Sequence, residues 1–573
     1  MRMANNDVSR FLAAASSGRL NRREVLERGL GLGLSTALLT GLVANAPEAT
    51  AAPTRGPRSF LTANQDDAPG TVTVSFVDGA SDIDPHSSYT TYGAVICYAA
   101  YDMLVEYKGL STTEYQPMLA ESWTASDDQT TYTFKIRANA TFHDGTACTA
   151  QSVKDSFVRF RRLELGPYLV IARFCDDPEN MITVEDDVTL TFTLPKPEPL
   201  FLPAMASSYG PYAVNMARVE EHKTDDDPWA NQWFLANADG TGPYKLVENN
   251  FAEGMRLERH EGYWGEFPDG GIDTILIRVV PENATRRQLL ENGELDLLTN
   301  QLTQEDFDAL KAVPTLQVLE YPTTRVDWFI LNWVTLPLEA RQGLCYAFPY
   351  EEIVQGVYLG KIKRTGPIPD NIQGYDPDAF VYTTDLEQAR TLLAAGGFAE
   401  GSTITLSIDS ESEDSRTMAE LFQANLAEIG ITLEISAVDT TTQEDIVYGD
   451  APAEEKPHII GEWAWWPDYN EGWNQLAPNF LIESAGGGGS NAGYYNNTAV
   501  QEKMAQARDT NDAAERDTLM KEIQAILIQE DPAAIFIGQV IYTTVADATI
   551  QGLEINPLYI EQYAFHRLSR TTA

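Results

Sequence analysis

Cysteine is scarce, with four residues in 573: Cys97, Cys148, Cys175 and Cys345. Their spacing fits no zinc-ligand pattern. In an exported chain, four cysteines would permit three disulfide connectivities. Cys345 lies in the apolar stretch GLCYAF and reads as a buried thiol. Histidine is nearly as rare. None of the six is paired at the i, i+4 spacing of a helical zinc site. Cations are outnumbered, 40 Lys and Arg against 84 Asp and Glu, for a net charge of −44. That balance argues against nucleic-acid partners, which need clustered cations, and against docking on anionic lipid. It reads as a solvated acidic surface and leaves salt adaptation open. A G-x-S-x-G elbow and a phosphate-cradling G-x-x-x-x-G-K are both absent. Carboxylate pairs are common, as 84 acids make inevitable, and Asp225-Asp226-Asp227 reads as a solvated loop. No catalytic spacing or metal site is asked for.

What is present is a long chain, 43% hydrophobic and 10% aromatic, well beyond the ~150 residues of one typical domain. Near the start, Asn21-Arg22-Arg23 precedes an uncharged run from Gly29 to Val43 and a small-residue site at Ala49-Thr50-Ala51. The run is shorter than the ~20 residues that span a bilayer. The pattern is that of an export signal over residues 1–51, and it resembles a twin-arginine signal. Residues 52–69 read as a flexible tether. The mature protein is then expected outside the cytoplasmic membrane, periplasmic or on the cell surface.

Periodicity gives a mixed α/β chain. TVTVSF (71–76), TYTFKIR (131–137) and TLTFTL (189–194) alternate at period two and read as strands. Thr384 is placed to cap a helix from Asp385, which Gly396-Gly397 ends. TITLSI (403–408), an amphipathic helix from Ser415 to Ile429, and TLEISA (432–437) make a strand–helix–strand unit, which implies a parallel pair. A further helix from Ala513 to Gln529 leads into a strand, AIFIGQV (534–540).

One local enrichment stands out. Four of the ten tryptophans, Trp463, Trp465, Trp466 and Trp473, crowd around Asp468 in EWAWWPDYNEGW. A strand from His458 to Trp466 would end at this loop. In parallel sheets the loops at strand carboxyl ends form the ligand crevice. Aromatic walls with one placed carboxylate suit an organic ligand bearing an amine. A Trp-rich core corner with Asp468 as a turn residue is the other reading that composition allows.

From about Thr71 to Arg570 the chain resembles the extracytoplasmic solute-binding proteins of ABC importers, the family 5 group of oligopeptide-, dipeptide- and nickel-binding proteins. The likeness is carried by DIDPH (82–86), AAYDMLVEY (99–107), the block from Pro117 to Arg159 with its SW, TFKIR and FHDG elements, GTGPYKLVE (240–248), GELD (293–296) and GYYNN (493–497). Ala347-Phe348-Pro349-Tyr350 departs from the family pattern, and Pro349 is expected to break the helix there. The resemblance implies a two-lobed α/β, periplasmic-binding-protein-like fold (type II, cluster C) with a hinged cleft. Lobe I would take 70–113 and 237–322, an extra subdomain 114–236, lobe II 323–541, and a tail 542–573 would return to lobe I.

The resemblance also implies a function. The chain would not be an enzyme and would need no cofactor. As a monomer it would capture short peptides and deliver them to a membrane permease driven by an ATPase. Asp468 matches the position that holds a peptide's ammonium, with Trp465 and Trp466 beside it; Tyr89 and Thr91 match the opposite wall, and Trp333 lies at the expected crossover. A metal-chelate or oligosaccharide binder on the same fold, and a secreted hydrolase using paired carboxylates, are the alternatives.

Overall fold

The computed structural model describes residues 70–571 apart from Gly488. The export signal and tether expected from the sequence lie outside the described residues. Eleven strands build one sheet: β1 (Thr71–Phe76), β2 (Tyr244–Asn250), β3 (Gly254–Arg259), β4 (Thr274–Val279), β5 (Leu297–Thr299), β6 (Leu316–Leu331), β7 (Ile362–Lys363), β8 (Thr403–Asp409), β9 (Thr432–Val438), β10 (Ile459–Trp465) and β11 (Ala534–Asp547). Their order is β9-β8-β10-β6-β11-β5-β1-β4-β3-β2, with β7 paired to β11 off this path.

β1 alternates in sequence, yet every residue is buried. It pairs in parallel with both β4 and β5, and a parallel strand is normally covered on both faces. Two buried polar groups of β1 find partners: Ser75 Oγ donates to Gln301 Oε1 at 2.8 Å, and the Thr73 backbone N–H donates to Asp296. β8 and β9 run parallel, joined by the helix Glu413–Glu428. That helix starts two residues earlier than expected because Ser412 caps it by accepting from Ser415 N.

β6 and β11, of 16 and 14 residues, run through both halves of the sheet. Leu316–Pro322 pair with Ile541–Asp547, and Val326–Ile330 with Ala534–Gln539. Between these stretches the ladder loses register around Thr323–Arg325 and again between Asp327 and Trp328. Gly538 sits opposite with φ +152°, and a Cβ there would lie 2.2 Å from Lys363 O, so glycine is required.

Strands Ala120–Ala125, Thr131–Ile136, Thr189–Thr193 and Ile182–Val184 form a separate four-stranded antiparallel sheet. The helix Ala150–Leu163, capped by Thr149, lies against it. From that helix Arg159 reaches Asp84 of the DIDPH segment, tying this unit to the main body.

Two local expectations change in detail. Asp385, not Thr384, caps the helix Leu386–Ala395. The Thr384 hydroxyl is used elsewhere, donating to Phe348 O and accepting from Tyr350 N. The helix expected over 513–529 is regular only to Ala525 and widens into a π turn over Ile526–Glu530. Pro349 does separate two helices, Leu338–Ala347 and Tyr350–Gly356. All four cysteines are free and buried, so no disulfide forms among them. Among the described residues, no helix is long and apolar enough to cross a membrane.

Candidate ligand-binding site

β10 carries its chain to Trp465, and Pro467, which has no N–H to give a ladder, follows at once. The loop then turns into the helix Gly472–Phe480, capped by Glu471, whose carboxylate accepts from Asn474 N at 2.9 Å. This turn fixes Asp468. Its backbone N–H donates to Asn474 Oδ1 at 2.6 Å, and Asn474 Nδ2 donates back to Asp468 Oδ2 at 3.2 Å. The other carboxylate oxygen accepts from Tyr89 Oη at 2.7 Å. Tyr89 is steadied edge-on by Tyr209, ring centroids 5.0 Å apart.

Asp468 is half-buried, and burial pushes its carboxyl above the usual carboxylate range. The Tyr89 and Asn474 donors pull the other way without cancelling that effect. Among the described residues it forms no salt bridge; its side-chain hydrogen bonds come from neutral groups.

Two cavities meet at this carboxylate. One, of about 370 Å³, is walled by Tyr89, Tyr209, Tyr448, Trp463, Trp465 and Trp466, with Arg325, Glu462 and Asp468 as its charged lining. The other, of about 710 Å³, shares Tyr89, Tyr448, Trp465 and Asp468 with the first. It adds an apolar surface from Leu169, Trp473 and Leu481, with Arg173, Glu444 and Glu483 in its charged lining.

The structure therefore brings Tyr89, Trp465, Trp466 and Asp468 to one place. Thr91 and Trp333 are not among the residues lining either cavity. Thr91 opens the helix Thr91–Ala100. Trp333 donates through its indole N–H to Asp531 Oδ2 at 3.2 Å and packs against Tyr495.

Sequence reasoning did not find Arg325, Glu462, Tyr209 or Tyr448. Glu462 stands inside the flagged tryptophan stretch, and that proximity was its one available signal. Arg325 comes from the register break in β6. It is held by Asp327, with Nε to Oδ1 at 2.6 Å and Nη2 to Oδ2 at 3.2 Å, and gives Nη1 to Tyr542 Oη at 3.1 Å. Glu462 Oε1 lies 3.5 Å from Arg325 Nη2. Burial, with the Asp327 charge beside it, pushes the Glu462 carboxyl up to about 7 despite Arg325. Among the described residues, no group of His, Cys, Asp and Glu is placed to hold a metal ion.

The family model described as bacterial extracellular solute-binding proteins, family 5, matches residues 114–486. The chain belongs to that family. As a family 5 solute-binding protein it is 28% identical over 497 residues to a probable D,D-dipeptide-binding periplasmic protein of Escherichia coli, covering 85% of this chain and 92% of that one. It is also 28% identical over 502 residues to the dipeptide-binding protein of the same organism, covering 82% and 89%. In fold it matches a Pseudoalteromonas dipeptide-binding protein solved with Met-Leu at a TM-score of 0.75, 20% identity, covering 87% of this chain and 100% of that one. The two-lobed α/β architecture implied by the sequence resemblance is the one this solute-binding protein has.

Proposed function

We propose that this solute-binding protein captures short peptides outside the cytoplasmic membrane and hands them, as a monomer and without chemistry of its own, to an ABC permease driven by an ATPase. Export by the twin-arginine-like signal, and lobes divided at 113, 236, 322 and 541, belong to the same reading. The observation that carries it is Asp468, a half-buried carboxylate whose side chain is hydrogen-bonded by neutral donors at the meeting of two aromatic cavities. A peptide ammonium entering there loses water and needs a charged acceptor in return. Tyr89 and Asn474 aim the carboxylate, and Trp465 and Trp466 line the space where a cation would sit. The dipeptide-binding relatives and the Met-Leu complex support a peptide as the ligand.

Native mass spectrometry of freshly purified protein tests this reading. Copurified peptides, released on unfolding, are the expected result. A bound sugar or metal chelate in their place, or turnover of a peptide panel abolished by removing one acid, would replace it.

A further inference from the structure

The smaller cavity holds more carboxyl groups than one peptide amine would answer. Asp468 and Glu462 both line it, and among the described residues Arg325 is its single cationic lining residue. Arg325 is committed elsewhere, because Asp327 grips its guanidinium through two oxygens and Tyr542 takes a third contact. Glu462 has only an edge of that guanidinium, at 3.5 Å, and a long contact of 3.4 Å from Ser412 Oγ. Two carboxylates thus share one guanidinium, and Asp468, the third carboxylate here, has only neutral side-chain donors.

An apolar zwitterionic peptide would leave this imbalance in place. Its ammonium would answer Asp468, and Glu462, with only long contacts to Arg325 and Ser412, would be left to take up a proton where a ligand cation could instead hold it ionised. Its carboxylate would find no unclaimed cation in this cavity. The walls argue in the same direction. Six aromatic side chains line the space, and their ring faces attract cations. At about 370 Å³ the cavity lies within the range of small-ligand pockets.

We infer that this cavity receives a second cation of the ligand, so that the preferred substrates are peptides with a basic side chain, their terminal ammonium on Asp468 and their side-chain cation on Glu462. This rests on the peptide reading given above. Glu462 would then set specificity, and Arg325 with Asp327 would hold its carboxylate in place rather than bind the ligand's carboxylate.

Calorimetry with Lys-Ala-Ala and Ala-Lys-Ala, each against its norleucine counterpart, tests the inference. Norleucine keeps the methylene chain and removes the ammonium. Wild-type protein should bind at least one lysine peptide about tenfold or more tightly than its partner, the scale of one hydrogen bond to a charged group. Glu462→Gln should erase that preference while still binding the norleucine peptide. Equal binding of both peptides by wild-type protein, a comparison that needs no folded variant, would overturn the inference and leave peptide capture standing. So would a lysine preference that survives Glu462→Gln. If no peptide binds, the peptide reading falls, and 1,5-diaminopentane decides the rest: binding lost in Glu462→Gln upholds a two-cation cavity, and absence of binding removes it.

Discussion

Two aspartates, each from a motif that the sequence makes conspicuous, meet opposite fates. Asp84, in DIDPH, is fully buried with Arg159, and both side chains are shielded from solvent. It accepts from Arg159 Nη1 at 2.8 Å, from His86 N at 3.0 Å and from Asn231 Nδ2 at 2.9 Å. Burial, the largest single influence, would raise its pKa, but the Arg159 charge and hydrogen bonds together with His86 outweigh it and hold the carboxyl below the usual range. Asp468 is less buried, has neutral side-chain donors instead of a cation, and is shifted the other way. A carboxylate with a resident guanidinium is part of the frame. One that lacks a cation beside open space is where a cationic guest gains most.

The contrast is broken most directly at Arg159. Arg159→Ala should lower unfolding free energy by about 3–5 kcal/mol, because it leaves a buried charge without its partner. A urea melt showing less than ~1 kcal/mol of loss would mean that Asp84 is not held as a frame element. Next in size, Asp468→Asn should weaken an amine-bearing peptide by roughly 2–5 kcal/mol if that pair is desolvated. Unaltered affinity by calorimetry would take Asp468 out of the site.

A smaller effect concerns pH. Because the folded-state pKa of Asp468 is raised, its contribution to stability is complete below the unfolded value of about 3.9 and is lost as pH rises through the folded value. Wild-type stability relative to Asp468→Asn should therefore fall as pH rises from about 4, by no more than ~1.4 kcal/mol per pH unit for one proton. Asp84, with its lowered pKa, contributes in the reverse sense: its stabilisation is present above about 3.9 and lost as pH falls through the folded value. A difference curve that rises with pH for Asp468 would contradict the contrast. Smallest of the set, Tyr89→Phe should cost about 1 kcal/mol of peptide affinity through loss of one hydrogen bond to the carboxylate, and an isotherm matching wild type would show that Tyr89 does not aim it.

The parts of this architecture legible in the sequence are those with local signals. β1 and the β8–helix–β9 unit follow from period-two runs, a helical face and glycine stops. Asp468, Trp465 and Trp466 follow from a dense run of one rare residue type. The full lengths of β6 and β11 do not, because their middles carry buried polar residues, Thr323, Thr324, Asp327, Gln539, Thr543 and Thr544. Thr323 and Gln539 are satisfied by contacts such as Thr323 Oγ1 to Val540 O and Gln539 Nε2 to Thr323 O, which no window of sequence reveals. Arg325, Tyr209 and Tyr448 reach the cavity from distant segments of ordinary composition, so only the topology assembles them.

The missing register in β6 and β11 has a mechanical side. A ribbon's stiffness across its width comes from its cross-rungs, and here the rungs slip at Thr323–Arg325 and beside Gly538. The sheet is scored along one line, like card ready to crease. Arg325 and Asp327 stand on that line, and Glu462 touches Arg325 from the neighbouring strand. A cation bound at Glu462, as proposed above, would sit one contact away from that line.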